Sequence, residues 1–214
     1  MARADGRLTA DLNPQDHGPQ DACGVIGIYA PGEEVSKLTY FGMYALQHRG
    51  QESAGMAVSD GRHMMVFKDM GLVSQVFDEA TLNSLQGHMA VGHTRYSTTG
   101  ASIWDNAQPT FRSRQGGDGL ALAHNGNLTN TGALEALIAE RAPDTEVPHK
   151  DRMDSSNDTS LVTALMTTYD GTLEEVAAQV LPHLQGAFSL VFMDDHTSVS
   201  YTHLRAHETK ANLV

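Results

Sequence analysis

Residues 53 to 71, SAGMAVSDGRHMMVFKDMG, are two apolar runs on either side of SDGR, and they restrict the fold more than any other stretch. Asp60 and Gly61 supply the chemistry of a tight turn, so the runs are expected to pair as antiparallel strands. Upstream, CGVIGIYA (23 to 30) alternates small and branched residues like a buried strand and stops at PGEE. Val35, Leu38, Tyr40, Phe41, Tyr44, Ala45 and His48 then recur near helical spacing, with Gly50 as the stop. DEATLNSLQG reads as a short helix, and HMAVGHTRYSTTG (88 to 100) as a strand running into a polar loop. LALAHNGNLTN (120 to 130) is another strand, followed by the helix GALEALIAERA, for which Asn130 or Thr131 offers the cap. After a polar connector (143 to 156), NDTSLVTALMTTYDG and TLEEVAAQVLPHLQG are amphipathic helices, the second with Thr172 and Glu175 at capping-box spacing. AFSLVFMDD (187 to 195) is a continuous apolar strand. Strands grouped in hairpins, then helices, then a strand again predict a layered α+β fold rather than an alternating parallel sheet.

A chain of 214 residues is expected to form one core. Its formal net charge of -12 opposes phosphate backbones and anionic membranes, so neither nucleic acid nor a membrane is an expected partner. There is one cysteine, which excludes an internal disulfide and a four-thiolate metal or iron–sulfur site and fits a reducing cytoplasm. Eleven histidines include His203 and His207, four apart, but no pair has a convincing ligand spacing with a carboxylate, so no metal site is expected. Residues 1 to 22 lack the apolar core of a secretory signal and, with NPQDHGPQD, read as a disordered leader.

Cys23 stands where that leader meets the first strand. A buried small hydrophobe would explain it, since free cysteine is among the most buried residue types. A nucleophile would explain it too. Cleavage between Ala22 and Cys23 would place an α-amino group of pKa about 7.7 to 8.0 beside the thiol, an internal base near working pH.

CGVIGIYA, ALQHRGQESAGMAV, VGHTRYSTTG and LAHNGNLTN, in that order, resemble the glutaminase domain of the amidophosphoribosyltransferase family over about residues 23 to 197. The resemblance implies an N-terminal-nucleophile hydrolase fold, a four-layer αββα sandwich. It implies that Cys23 takes the glutamine amide carbon to a thioester and releases ammonia, which the family passes to phosphoribosyl pyrophosphate in the first step of purine biosynthesis. Asn125 and Gly126 match the oxyanion hole, Arg95 the residue that grips the substrate α-carboxylate, and Asp158 the one that receives the α-ammonium. Each has a plainer explanation: Asn-Gly is a turn dipeptide, and Arg95 could serve an ion pair. His48 and Arg49 read as architectural, cations near a helix end.

The resemblance also sets what should be missing. The family's phosphoribosyltransferase half has no counterpart here, so phosphoribosyl pyrophosphate, magnesium and any iron–sulfur cluster are implied only for that half, as is a homo-oligomer of the complete protein. After Thr197 the text SVSYTHLRAHETKANLV leaves the family pattern, reads as a foreign tail over 198 to 214 and looks unsuited to a sheet. The domain is therefore expected to be truncated, with the strand at 187 to 195 lacking a neighbour. Two other readings remain open: the glutaminase of another amidotransferase, for hexosamine-phosphate or asparagine synthesis, and a non-catalytic fragment that only associates.

Overall fold

The computed structural model describes residues 23–96, 103–114, 116–143 and 158–203, with backbone alone at 198–203. The leader 1–22, loop residues 97–102, connector residues 144–157 and residues 204–214, His207 among them, lie outside the described residues.

The hairpin at 53 to 71 forms as expected: β2 (Ser53–Ser59) and β3 (Met64–Met70) pair antiparallel from Ser53↔Met70 to Ser59↔Met64. Its turn is closed by Asp60, whose Oδ1 accepts from the backbone N–H of Arg62 and of His63, both at 2.8 Å. Gly61 takes φ +88°, a conformation that glycine adopts without Cβ strain. Beside β2 runs β4 (Met89–Arg95), and beside β4 runs β1 (Gly24–Tyr29), giving a four-stranded antiparallel sheet in the order β1-β4-β2-β3.

A second antiparallel sheet has the order β5-β6-β7-β8, with β5 Thr110–Ser113, β6 Gly119–Leu128, β7 Gly186–Asp194 and β8 Ser198–His203. Here the expectation of an unpaired edge is corrected. β7 has a neighbour on each side, and residues 198 to 203 of the supposed tail form the outer one, in register from Met193↔Ser198 to Phe188↔His203. The physical reason is a turn: Asp194 Oδ1 accepts from the backbone N–H of His196 (2.9 Å) and Thr197 (2.7 Å), which folds the chain back along β7. SVSYTH supplies Val, Tyr and Thr, residues suited to strands. The first charged residue of this stretch, Arg205, lies beyond it.

Strand alternation then divides the interior into three layers rather than one core. Between the first sheet and helices α1 (Val35–Ala45), α2 (Val73–Val76) and α3 (Glu79–Ser84) lie Met43, Ala54, Met56, Val58 and Ala90. Between the second sheet and helices α4 (Thr131–Arg141), α5 (Asp158–Met166) and α6 (Leu173–Val180) lie Leu120, Leu122, Leu161, Leu165, Val176 and Phe192. The two sheets meet through Ala57, Met89, Val91, Ala121, Ala123, Val191 and Met193. The order is helices, sheet, sheet, helices. Small residues allow the sheets to approach: a Cβ on Gly27 would stand 2.8 Å from Val191 Cγ1.

Helix starts follow local chemistry. Thr172 Oγ1 accepts from Glu175 N–H while Glu175 Oε2 accepts from Thr172 N–H, completing the expected box on α6. Asn130 occupies the cap position of α4 without bonding that helix. Its amide instead donates to His183 O and its Oδ1 accepts from Gln185 N–H, fastening the start of α4 to the approach to β7. Neither α2 nor β5 is signalled by periodicity, since each is only four residues long.

Candidate active site

Cys23 immediately precedes β1, and the pair Gly24↔Thr94 sets it beside the end of β4 where Arg95 stands. It is half-buried, and its Sγ–H points at Tyr96 O at 3.5 Å. Burial pushes the thiol above its ordinary pKa, and the Asp158 carboxylate adds to that. The hydrogen bond at Tyr96 and the Arg95 guanidinium pull the other way without cancelling the rise. One sulfur therefore stands in the fields of both a cation and an anion.

Arg95 is 8% exposed, the last residue of β4. Its Nη1–H donates to Asn106 O at 2.6 Å, and its Nε lies 3.7 Å from Glu52 Oε2. Asn106 closes a 3₁₀ turn, Trp104–Asn106, which β3 holds in place: Lys68 Nζ donates to Ala107 O and sits 4.9 Å from the Trp104 ring, while Trp104 Nε1–H donates to Lys68 O. A planar guanidinium fixed in this way presents its donors in a set direction, the geometry a carboxylate ligand needs.

Asp158 opens α5. Its Oδ1 accepts from Thr159 N–H (2.9 Å), its Oδ2 from Leu128 N–H (3.2 Å), and His124 Nδ1 lies 3.4 Å from Oδ1. Burial alone would raise its pKa, but His124 and the two backbone donors outweigh it and hold the carboxyl below the usual range.

Asn125 and Gly126 lie on β6 opposite Ser189 and Phe188. Gly126 has φ +138°, and a Cβ there would stand 2.3 Å from Ala187 O, so only glycine fits. His93 Nε2–H donates to His124 O at 3.1 Å, which ties the Arg95 end of β4 to the residue before Asn125. Alternation puts Cys23 with Val25, Arg95 with His93, and Asn125 with Ala123, all facing the layer between the sheets.

The five predicted residues thus come from the start of β1, the end of β4, the end of β6 and the start of α5. Glu52, His93, Asn106 and His124 carry no role in the sequence reading, although Glu52, His93 and His124 lie inside HRGQES, GHTR and AHNGN. Their burial and partners are tertiary facts with no local signal. Among the described residues no group of three or more His, Cys, Asp or Glu could hold a metal ion, and one cysteine cannot ligate an iron–sulfur cluster. No helix among them is long and apolar enough to cross a membrane.

No protein-family model matches the chain. Over 199 residues it is 53% identical to the amidophosphoribosyltransferase of Mycobacterium bovis, covering 89% of this chain and 36% of that protein. The chain is a homologue of amidophosphoribosyltransferase. The amidophosphoribosyltransferase of Bacillus subtilis is 36% identical over 180 residues, 83% of this chain and again 36% of the relative. The chain therefore spans about a third of the length of these relatives. A solved structure of the allosteric regulatory enzyme of purine biosynthesis superposes with a TM-score of 0.71 at 32% identity, covering 83% of this chain and 37% of that one. The B. subtilis glutamine phosphoribosylpyrophosphate amidotransferase complexed with ADP and GMP gives 0.70, also at 32%. The αββα layering shared with these amidophosphoribosyltransferases is the N-terminal-nucleophile hydrolase fold.

Proposed function

We propose that the chain is the glutamine-hydrolysing domain of an amidophosphoribosyltransferase. The observation that carries this reading is the sulfur of Cys23 lying under the influence of both Arg95 and Asp158. A cation and an anion that both act on one nucleophile suit the α-carboxylate and α-ammonium of an amino acid, and leave its side-chain amide for the thiol.

The chemistry follows from these groups. A thiol whose pKa is raised by burial is largely protonated near neutrality and needs a base. Removal of residues 1 to 22 supplies one, the free α-amine of Cys23. The amine takes the thiol proton, the sulfur attacks the glutamine Cδ, and the developing oxyanion receives hydrogen bonds from the Asn125 amide and the Gly126 backbone N–H. The proton passes to the departing nitrogen, ammonia leaves, and a thioester remains. Water then hydrolyses the thioester to glutamate and restores the thiol.

In the complete protein the ammonia goes to phosphoribosyl pyrophosphate, giving 5-phosphoribosylamine in the first step of purine biosynthesis. That step, its magnesium and any iron–sulfur cluster belong to the two thirds of the relatives that this chain does not span, in a cytoplasmic homo-oligomer. The glutaminase domain is assigned to 23–203, since β8 belongs to its second sheet.

Steady-state kinetics on chain beginning at Cys23 test the roles. Arg95→Lys should raise KM for glutamine about tenfold or more, because an ammonium cannot replace a bidentate fork. Asn125→Ala should lower kcat about 100-fold with KM little changed, because its contact strengthens only as the oxyanion forms. Equal effects of both substitutions on both parameters would overturn the assignment.

A further inference from the structure

His124 is clamped more completely than a core histidine needs. Its backbone N–H donates to Gln108 Oε1 at 2.8 Å, its carbonyl accepts from His93 Nε2–H at 3.1 Å, and its ring meets Phe188 edge-on, 6.3 Å between centroids. What remains directed is Nδ1, which lies 3.4 Å from Asp158 Oδ1 and 3.3 Å from Thr159 Oγ1. Both are acceptors for a proton on Nδ1, and a carboxylate accepts only, so the ring presents Nδ1–H to this pair. Asp158 then receives His124 Nδ1–H and the backbone N–H groups of Leu128 and Thr159. A carboxylate has about four acceptor sites. Three are taken by donors from β6 and α5, and the direction left open is where a further cation can bind.

We propose that His124 is a positioning residue that, through Nδ1–H, fixes the Asp158 carboxylate so that it accepts the α-ammonium of the substrate and selects an amino-acid head group. This rests on the glutamine reading of the site. Because Asn125 follows it directly, the same clamp couples the group that reads the substrate's ammonium to the strand that carries the oxyanion donor. The side chain of His124 acts on the first and its backbone on the second. Loss of the side-chain donor is therefore expected in substrate capture rather than in turnover.

Two isosteric replacements separate this from a role in packing. Asparagine places an amide N–H near the position of Nδ1, and glutamine places one near Nε2; both are polar and of similar bulk. Thiol alkylation at Cys23 is followed with two probes, a glutamine analogue carrying a carbon electrophile in place of its amide, and iodoacetamide, which has no ammonium. In the unsubstituted chain the analogue should saturate and should react faster than iodoacetamide at equal concentration. His124→Gln should raise its half-saturating concentration about tenfold or more, leaving the iodoacetamide rate within about twofold, and His124→Asn should restore most of the lost capture. In chain already carrying Asp158→Ala, His124→Gln should have no further effect on capture. If the unsubstituted chain shows no preference for the analogue, the glutamine reading itself fails and the positioning role with it. If it shows the preference and His124→Gln keeps it, or His124→Gln and His124→Asn lose it equally, the positioning role alone is wrong.

Discussion

The layer between the two sheets has two ends built from the same strands. Along the inward face of β4 the residues are Met89, Val91, His93 and Arg95; along β6 they are Ala121, Ala123 and Asn125. The first members are small or apolar and pack; the last are polar and meet at the site. At the apolar end the polar atoms are bound to backbone: Ser59 Oγ–H donates to Asp195 O at 2.6 Å, and Asp195 Oδ2 accepts from Gly119 N–H at 2.8 Å. At the site end, Ser53 Oγ and His93 Nδ1 are buried without a hydrogen-bond partner among the described residues, against Asp195 Oδ1 at the other end. Each such group costs about 1 to 3 kcal/mol. The difference teaches that stability is gathered at one end of the layer and given up at the other, where the proposed glutamine site lies.

The sharpest way to break this comparison is to titrate the polar end. Burial drives the pKa of His93 from 6.5 down to about 3, opposed by its bond to His124 O. The unfolded chain binds that proton more readily, so His93 contributes stability above pH 6.5, and the contribution is lost as pH falls from there towards 3. The full span corresponds to about 5 kcal/mol. His93→Gln keeps a donor for His124 O and removes the titration. Urea unfolding from pH 7 to pH 3 should therefore show a shallower loss in the variant, and parallel curves would mean that His93 is not buried neutral.

Glycines at the two ends give smaller effects of different origin. Gly126→Ala meets both a positive φ and a backbone oxygen 2.3 Å away, so about 3 kcal/mol should be lost, together with glutamine hydrolysis. Gly27→Ala meets only the Val191 side chain at 2.8 Å, which can shift, and should cost about 1 kcal/mol. Thermal unfolding of both variants checks the ranking. Equal losses would show that the site end has no special backbone constraint.

Much of this architecture is legible in the amino-acid sequence. The SDGR hairpin, the strand opening at Cys23, the capping box at Thr172 and the αββα layering implied by the motifs all appear where expected. What cannot be read depends on pairing or on length. β8 escapes the sequence reading because its pairing depends on a turn at Asp194 that returns the chain along β7. β5 and α2 are too short to show a period. His93 and His124 are visible as letters beside Arg95 and Asn125, but a bond between one ring and the other residue's carbonyl spans 31 positions and leaves no local trace.

The central claim is that Cys23 becomes a glutamyl thioester. Chain mapped to begin at Cys23, mixed with glutamine and quenched in acid within its first turnovers, should show by intact-mass spectrometry a species heavier by one glutamyl group. Peptide mapping should place that group on Cys23, and Cys23→Ala should show neither the adduct nor ammonia release. Ammonia release that persists in Cys23→Ala, or an adduct mapped to any other residue, would contradict the account.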